Sequence, residues 1–454
     1  MQTTNEAKII PKAKAKDPLI KNTRVMLSNT LDFFTSMRKQ YGDIYNANVI
    51  GSNLVIVSRP SMIQKILVSE ISKFPKSKNY ETFKLSVGNG LVTNEGESWK
   101  RQRKIAQPAF YKESIANLFD ILCKVSQDHL QNWKGQQKIN AVENMLATTL
   151  DMVVQSLFGE SIDMDYDRLS KAFITENQFL SDQVMNPFSL PIWIPTASAR
   201  RYKKARSTTS ELVETIINKR KEKDATPKND LLGMLMSSRY SDTGEGMSNQ
   251  QLKDEVVSIL FAGHEATANS MSWALYLLAK YPEHLKKVKE EVQRVTQGQP
   301  LKLEHLSQMV YTQQVIDESM RLYPSAWALS RTVHQDTDLE GYTIKKNSLI
   351  FLDFYNMYRD EAIWEHPNDF IPERFQPELK KQMHKCSFVP FGAGQRMCIG
   401  YQFAFMEMKI LLADIVSNYD FVLDPDAPEV EVEPLTTLKP KDGVWISVTP
   451  LDKA

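Results

Sequence analysis

Residues 388–400 read "FVPFGAGQRMCIG". A proline and three glycines mark the stretch as a loop, and Cys398 stands where that loop gives way to a helix, because Ile399, Phe403, Met406 and Ile410 fall on one stripe. Backbone N–H groups and the dipole at a helix N-terminus favour a thiolate, so the placement predicts a thiol of lowered pKa and a soft metal ligand. Gly394 and Gly400 lack a Cβ, which lets the backbone approach a flat group closely.

A lone cysteine is more often a small buried hydrophobe, and the surrounding residues decide against that reading. The loop is not a dinucleotide fingerprint, since the third glycine of G-x-G-x-x-G would fall on Met397. A zinc site from His384, Cys386 and Cys398 lacks a C-x-x-C pair and a fourth ligand. Phe391, Gly394, Arg396, Cys398 and Gly400 match every fixed position of F-x-x-G-x-R-x-C-x-G, and here the chain resembles the cytochrome P450 superfamily. The resemblance implies a mainly α fold with small β-sheets, the triangular prism of that family, and Cys398 as the thiolate ligand of a b-type haem (iron protoporphyrin IX).

Composition is consistent with a large core. The chain has 454 residues, 42% of them hydrophobic, and 56 Lys+Arg against 55 Asp+Glu give a formal charge of +1. No overall field recommends nucleic acid or an anionic membrane as partner. The first twenty residues hold no continuous apolar run ahead of a cleavage site, and the longest uncharged run of the main helix, 266–279, is shorter than the roughly 18 to 20 residues a bilayer needs. Three cysteines form no disulfide framework and suit a reducing compartment, so a cytoplasmic location is expected.

Helical periodicity is read over 95–106, 114–133, 139–158, 196–223, 250–280, 283–296, 310–322 and 399–418, and hairpins over 43–58 and near 341–353 and 436–449. Polar stretches 221–230 and 241–250 are short linkers. A single domain over 1–454 is expected, with an irregular segment over 1–27 and no reductase domain.

Other segments carry further parts of the resemblance. Glu318 and Arg321 in "DESMRLYP" share a helix face, and Arg374 comes from "FIPERF". The resemblance joins the three in a buried network holding the segment before Cys398. It also assigns the haem propionates to Trp99 and Arg103 of "ESWKRQRKIAQPAF", Arg331 and Arg396, guanidinium being suited to two-pronged carboxylate binding.

The helix over 250–280 would run about 45 Å at 1.5 Å per residue, with "AGHEAT" (Ala262–Thr267) at its midpoint. The resemblance makes this the oxygen-binding segment. Gly263 lets the helix open locally, Glu265 is expected to relay protons, and His264 is read as a packed or salt-linked histidine with substrate contact as the alternative. A threonine usually follows the acid in the family, and this chain has Ala266; Thr267 lies about 100° further round. Either an ordered water or a hydroxyl of the substrate is expected to complete the relay.

Family pocket regions correspond to roughly 76–92, 178–195 and 325–330, which offer Tyr80, Phe83, Gln178, Phe188, Trp193, Trp327 and Ala328. The expected activity is O2-dependent hydroxylation of a small-molecule C–H bond. O-demethylation of a methylated sugar is the substrate reading suggested by Ala266, and a fatty acid or terpenoid is the alternative. A non-catalytic haem sensor or carrier stays open as another class. Electrons are expected from a separate ferredoxin with its reductase, or a flavodoxin, steered by Lys100, Arg101, Lys104, Lys380, Lys381 and Lys385.

Overall fold

A computed structural model of the chain describes residues 8–159, 165–223, 230–240 and 244–451. Parts of both candidate linkers, 224–229 and 241–243, lie outside the described residues. The helix Asn249–Lys280 is the central element. Ser248 caps its start by accepting the Gln251 amide at 3.1 Å, and it gives way at Tyr281 to a second helix with Pro282 at its first position. From Leu252 to Leu278 most positions are buried, as expected of a helix crowded on several sides.

Three helices close round it: Ala141–Leu157, Val310–Leu322 and Tyr401–Asn418. The first approaches closely at Gly263, where a Cβ would meet Val153 Cγ2 at 3.3 Å, and Thr149 Oγ1 donates to the His264 carbonyl at 3.0 Å. All four contribute to one continuous apolar cluster.

Each of the eight helical readings has a counterpart, with differences in detail. The stretch 114–133 divides into Lys112–Ala116 and Phe119–Gln131, and the start of 139–158 is a short strand, Lys138–Asn140. The segment expected to be irregular already contains a helix from Thr23 to Ser28. Tyr166–Met185 is a helix the periodicity reading passed over. Buried Leu169, Phe173 and Leu180 recur at helical spacing, but buried Glu176 and Asn177 interrupt the apolar stripe.

Of the three hairpins only 43–58 forms as read, with Ile44 opposite Val57 and Asn46 opposite Val55. Leu349–Asp353 does not return on Tyr342–Ile344. It lies between Leu54–Val57, to which it runs parallel, and Ala328–Thr332, antiparallel. Its Ile350, Leu352 and Asp353 are buried, so it serves as an inner strand with partners on both edges. Near 436–449, Leu438–Pro440 pairs back onto Val432–Pro434, whereas Trp445–Pro450 joins Tyr419–Leu423 and Lys138–Asn140. A turn between two strands in sequence did not make them partners. Among the described residues no helix is long and apolar enough to cross a membrane.

Candidate active site

A cavity of ≈ 360 Å³ lies between the central helix and the Cys398 loop. The helix contributes Ile259, Ala262, Gly263, Ala266, Thr267 and Ser270, which recur at three and four spacing and so form one face. The opposite wall is Phe391, Met397, Cys398, Ile399 and Gly400.

The loop is held by its own backbone. The Cys398 amide donates to the Phe391 carbonyl at 2.8 Å. Gly394 has φ +68°, and a Cβ there would lie 2.4 Å from the Leu67 carbonyl oxygen. Its missing side chain therefore serves a left-handed turn packed on a neighbouring backbone, and it does not line the cavity. Gly400 does line it, against the Phe110 ring.

Cys398 is open to the cavity while lying deep in the protein. Burial pushes its thiol up, against the Gly400 amide and the Arg103 charge, which favour the thiolate. The expected lowering is thus reversed in the protein alone. The helix begins only at Tyr401, three residues on, and loss of water is the largest influence on the thiol.

The cationic side of the cavity collects Lys76, Arg103, Arg331 and Arg396 round Trp99. The Arg396 guanidinium sits 3.6 Å over the Trp99 ring and pairs with Glu95. Arg103 donates to the Met397 carbonyl at 2.9 Å and Arg331 to that of Ser330 at 3.0 Å; neither has a carboxylate partner among the described residues. Lys76, which the sequence reading did not name, is pushed down to about 7, by burial first and then by Arg396, an effect Glu95 opposes and Arg331 reinforces. Four cations against one carboxylate, with a sulfur on the opposite wall, fit a planar group bearing two carboxylates and a thiophilic metal. A b-type haem is such a group.

Behind the loop, Glu318 and Arg321 are fully buried and bonded at 2.7 and 2.8 Å. Arg374 Nε lies 3.4 Å from Glu318, and the Ile371 amide donates to it at 2.9 Å. Arg321 also donates to the carbonyls of Tyr358, Pro367 and Asp369. The three residues expected to act together are assembled.

Glu265 does not line the cavity. Its Oε1 accepts from Asn177 of the Tyr166–Met185 helix and from Thr437 at 2.6 Å, and Oε2 has no partner among the described residues. Burial raises its pKa, opposed by those two hydrogen bonds and by the Lys439 charge. His264 also faces away. It packs on Phe173 with ring centroids 4.5 Å apart, Nδ1–H donates to the Leu260 carbonyl, and burial pushes it down to about 4. Residues 264 and 265 lie about 100° and 200° round the helix from Gly263, which carries both off the cavity face. Thr267 is on that face and donates to the Gly263 carbonyl at 3.2 Å.

Of the expected pocket residues, Tyr80 lines the cavity. Phe83 rests against Tyr80 outside it. Trp327 is buried between Phe34 and Phe351 and donates to the Leu435 carbonyl, and Ala328 opens the strand beside it. Gln178 is exposed, because the helix turns Phe173 and Leu180 inward. Phe188 and Trp193 are 54% and 75% exposed on the following loop. The cavity instead uses Ser270 and Ser325, which no motif singled out.

The cytochrome P450 family model matches residues 20–446. Cyclooctatin synthase from Streptomyces melanosporofaciens is 28% identical over 96% of this chain and 93% of its own length. The cyclooctat-9-en-7-ol 5-monooxygenase of the same organism is 27% identical over 88% and 87%. A bifunctional cytochrome P450/NADPH–P450 reductase from Bacillus cereus is 28% identical over 94% of this chain but only 40% of itself. In three dimensions the crystal structure of the cytochrome P450DA haem domain superposes with a TM-score of 0.87 over 98% of each chain, at 24% identity. With a cysteine and a ring of cations facing across one cavity, and a match over nearly its whole length, this chain belongs to the cytochrome P450 family, whose cofactor is a b-type haem.

Proposed function

We propose that the protein hydroxylates a largely apolar, terpenoid-like molecule held between the central helix and Cys398. When bound, the haem supplies activation of O2 with two electrons, one oxygen atom entering the substrate and the other leaving as water. Cys398 supplies the iron ligand, and the Gly400 amide and Arg103 stabilise its thiolate form. Lys76, Arg103, Arg331 and Arg396 hold the carboxylates, with Trp99 stacked beneath Arg396.

Small residues Ala262, Gly263 and Ala266 leave room for the substrate beneath the helix, and apolar neighbours exclude water from it. Glu265, whose pKa burial raises, anchors Asn177 and Thr437 to the central helix, and Thr267 puts a hydroxyl on the cavity wall.

The apolar wall above Cys398 is the observation that carries the substrate class. It gives a methylated sugar few partners, so O-demethylation gains no support from it. Two relatives are named for cyclooctatin-related chemistry, which favours a terpenoid. Lys104, Lys381 and Lys385 are the cations we assign to steering the electron donor; Lys100 and Lys380 are paired with Glu97 and Asp317, and Arg101 lies over the Tyr240 ring. A separate ferredoxin or flavodoxin suits that charge.

The test is turnover with surrogate ferredoxin and reductase over a panel of terpenoids, fatty acids and methoxylated sugars. Terpenoid-dependent reductant consumption with a hydroxylated product is expected. Product from the sugars alone would overturn the substrate class, and haem binding without any turnover would indicate a sensor or carrier.

A further inference from the structure

Ser270 and Ser325 put two hydroxyls into a mainly apolar wall. Ser270 is one turn beyond Ala266 on the central helix, and Ser325 follows the helix that carries Arg321. Their oxygens are 3.0 Å apart, and each lies 2.9 Å from the Ala266 carbonyl oxygen. That oxygen is also the acceptor for the Ser270 amide in the helical ladder. A carbonyl oxygen has two lone pairs, so three donors compete for two places. One hydroxyl proton can therefore turn into the cavity while the carbonyl stays satisfied, and both serine oxygens keep lone pairs to accept with.

We infer that Ser270 and Ser325 form a neutral notch that binds an alcohol oxygen of the substrate and so fixes which carbon lies toward Cys398. The notch carries no charge of its own. The cavity's cations gather on the Trp99 side, where the haem carboxylates would take them, so the pair suits an alcohol over a carboxylate. Ala266, one turn before Ser270 on the same face, carries only a methyl group into the cavity wall. The inference rests on the reading that this cavity holds the substrate, and it makes that substrate an already hydroxylated terpenoid, the product of an earlier oxidation or hydration.

The test is equilibrium binding to the haem-loaded protein, read from the ligand-induced change in haem absorption, with borneol against bornane and 1-adamantanol against adamantane. One neutral hydrogen bond corresponds to about a fivefold preference for each alcohol. The double variant Ser270→Ala/Ser325→Ala should bind alcohol and hydrocarbon alike, with hydrocarbon affinity unchanged, and Ser325→Thr, which keeps a hydroxyl, should retain the preference. Should the double variant fail to fold, Ser325→Ala alone, outside the central helix, should lose at least half of it. A wild type without alcohol preference, or a preference that survives loss of the serines, overturns the inference. A serine-dependent preference without any oxidised product would overturn the monooxygenase reading and leave the notch standing.

Discussion

Replacing Glu318 by Gln changes one atom and removes one charge at the most buried ion pair among the described residues. Glu318 and Arg321 are both fully excluded from solvent, and the carboxylate receives two bonds from Arg321, one from the Ile371 amide and a longer one from Arg374. Shape and volume are kept, so no cavity contributes. What remains is the Arg321 guanidinium without its counterion, with Arg374 beside it and an amide NH2 facing at least one donor, Arg321 Nε. Breaking a buried pair in this way costs about 3 to 5 kcal/mol. That is roughly a hundredfold to a few thousandfold in the folded-to-unfolded ratio, against a total stability of about 5 to 15 kcal/mol. Arg321 also ties the carbonyls of Tyr358, Pro367 and Asp369, so the chain leading to Cys398 should loosen and haem should leave faster. Urea denaturation followed by circular dichroism gives the first quantity, and haem transfer to apomyoglobin the second. A loss below about 1 kcal/mol, the range of an exposed pair, would refute the reasoning, because it would mean that water compensates the guanidinium.

Glu255, buried and pushed up to about 7 mainly by burial, gives a pH signature. The native state keeps a proton that the unfolded chain loses above its ordinary value of 4.5, so wild-type stability falls as pH rises from 4.5 toward 7. Glu255→Gln should gain on wild type across that window, by an amount on the order of 3 kcal/mol, in denaturation curves at each pH; a constant difference would contradict the assignment. Gly394→Ala forces a side chain into a left-handed turn against the Leu67 carbonyl and should cost at least about 2 kcal/mol in the same assay. Lys76→Met should speed haem loss about tenfold while leaving the reduced carbonyl spectrum unchanged, since it removes one charge-assisted bond to a propionate; unaltered haem retention would remove Lys76 from the site.

Much of the site was legible because its residues sit in tight local patterns. The loop holding Cys398, the Glu318/Arg321 spacing and the Trp99/Arg103 turn each put their residues on one face or in one turn, and the fold brings them together as expected. What depended on packing between distant segments was not legible. The motif assigns Glu265 to proton relay but does not say where its carboxyl lies, and helical rotation with the polar groups of Asn177 and Thr437 holds it off the cavity wall. Lys76 and Ser325 have no spacing signature, and the helical spacing that puts Ser270 on the cavity face says nothing of its partner, since these roles arise only where a loop, a helix and a helix end meet. The misread hairpins have the same origin: Leu349–Asp353 finds its partners about 20 and 300 residues away, beyond any local pattern.

The central claim is that the sulfur of Cys398 binds the haem iron. Its most direct measurement is the absorption spectrum of the reduced, carbon monoxide-treated, haem-loaded protein beside that of Cys398→Ser. The wild type should show the long-wavelength band of thiolate ligation and the variant should lose it. A variant that keeps the band, or a wild type that never shows it, would contradict the account.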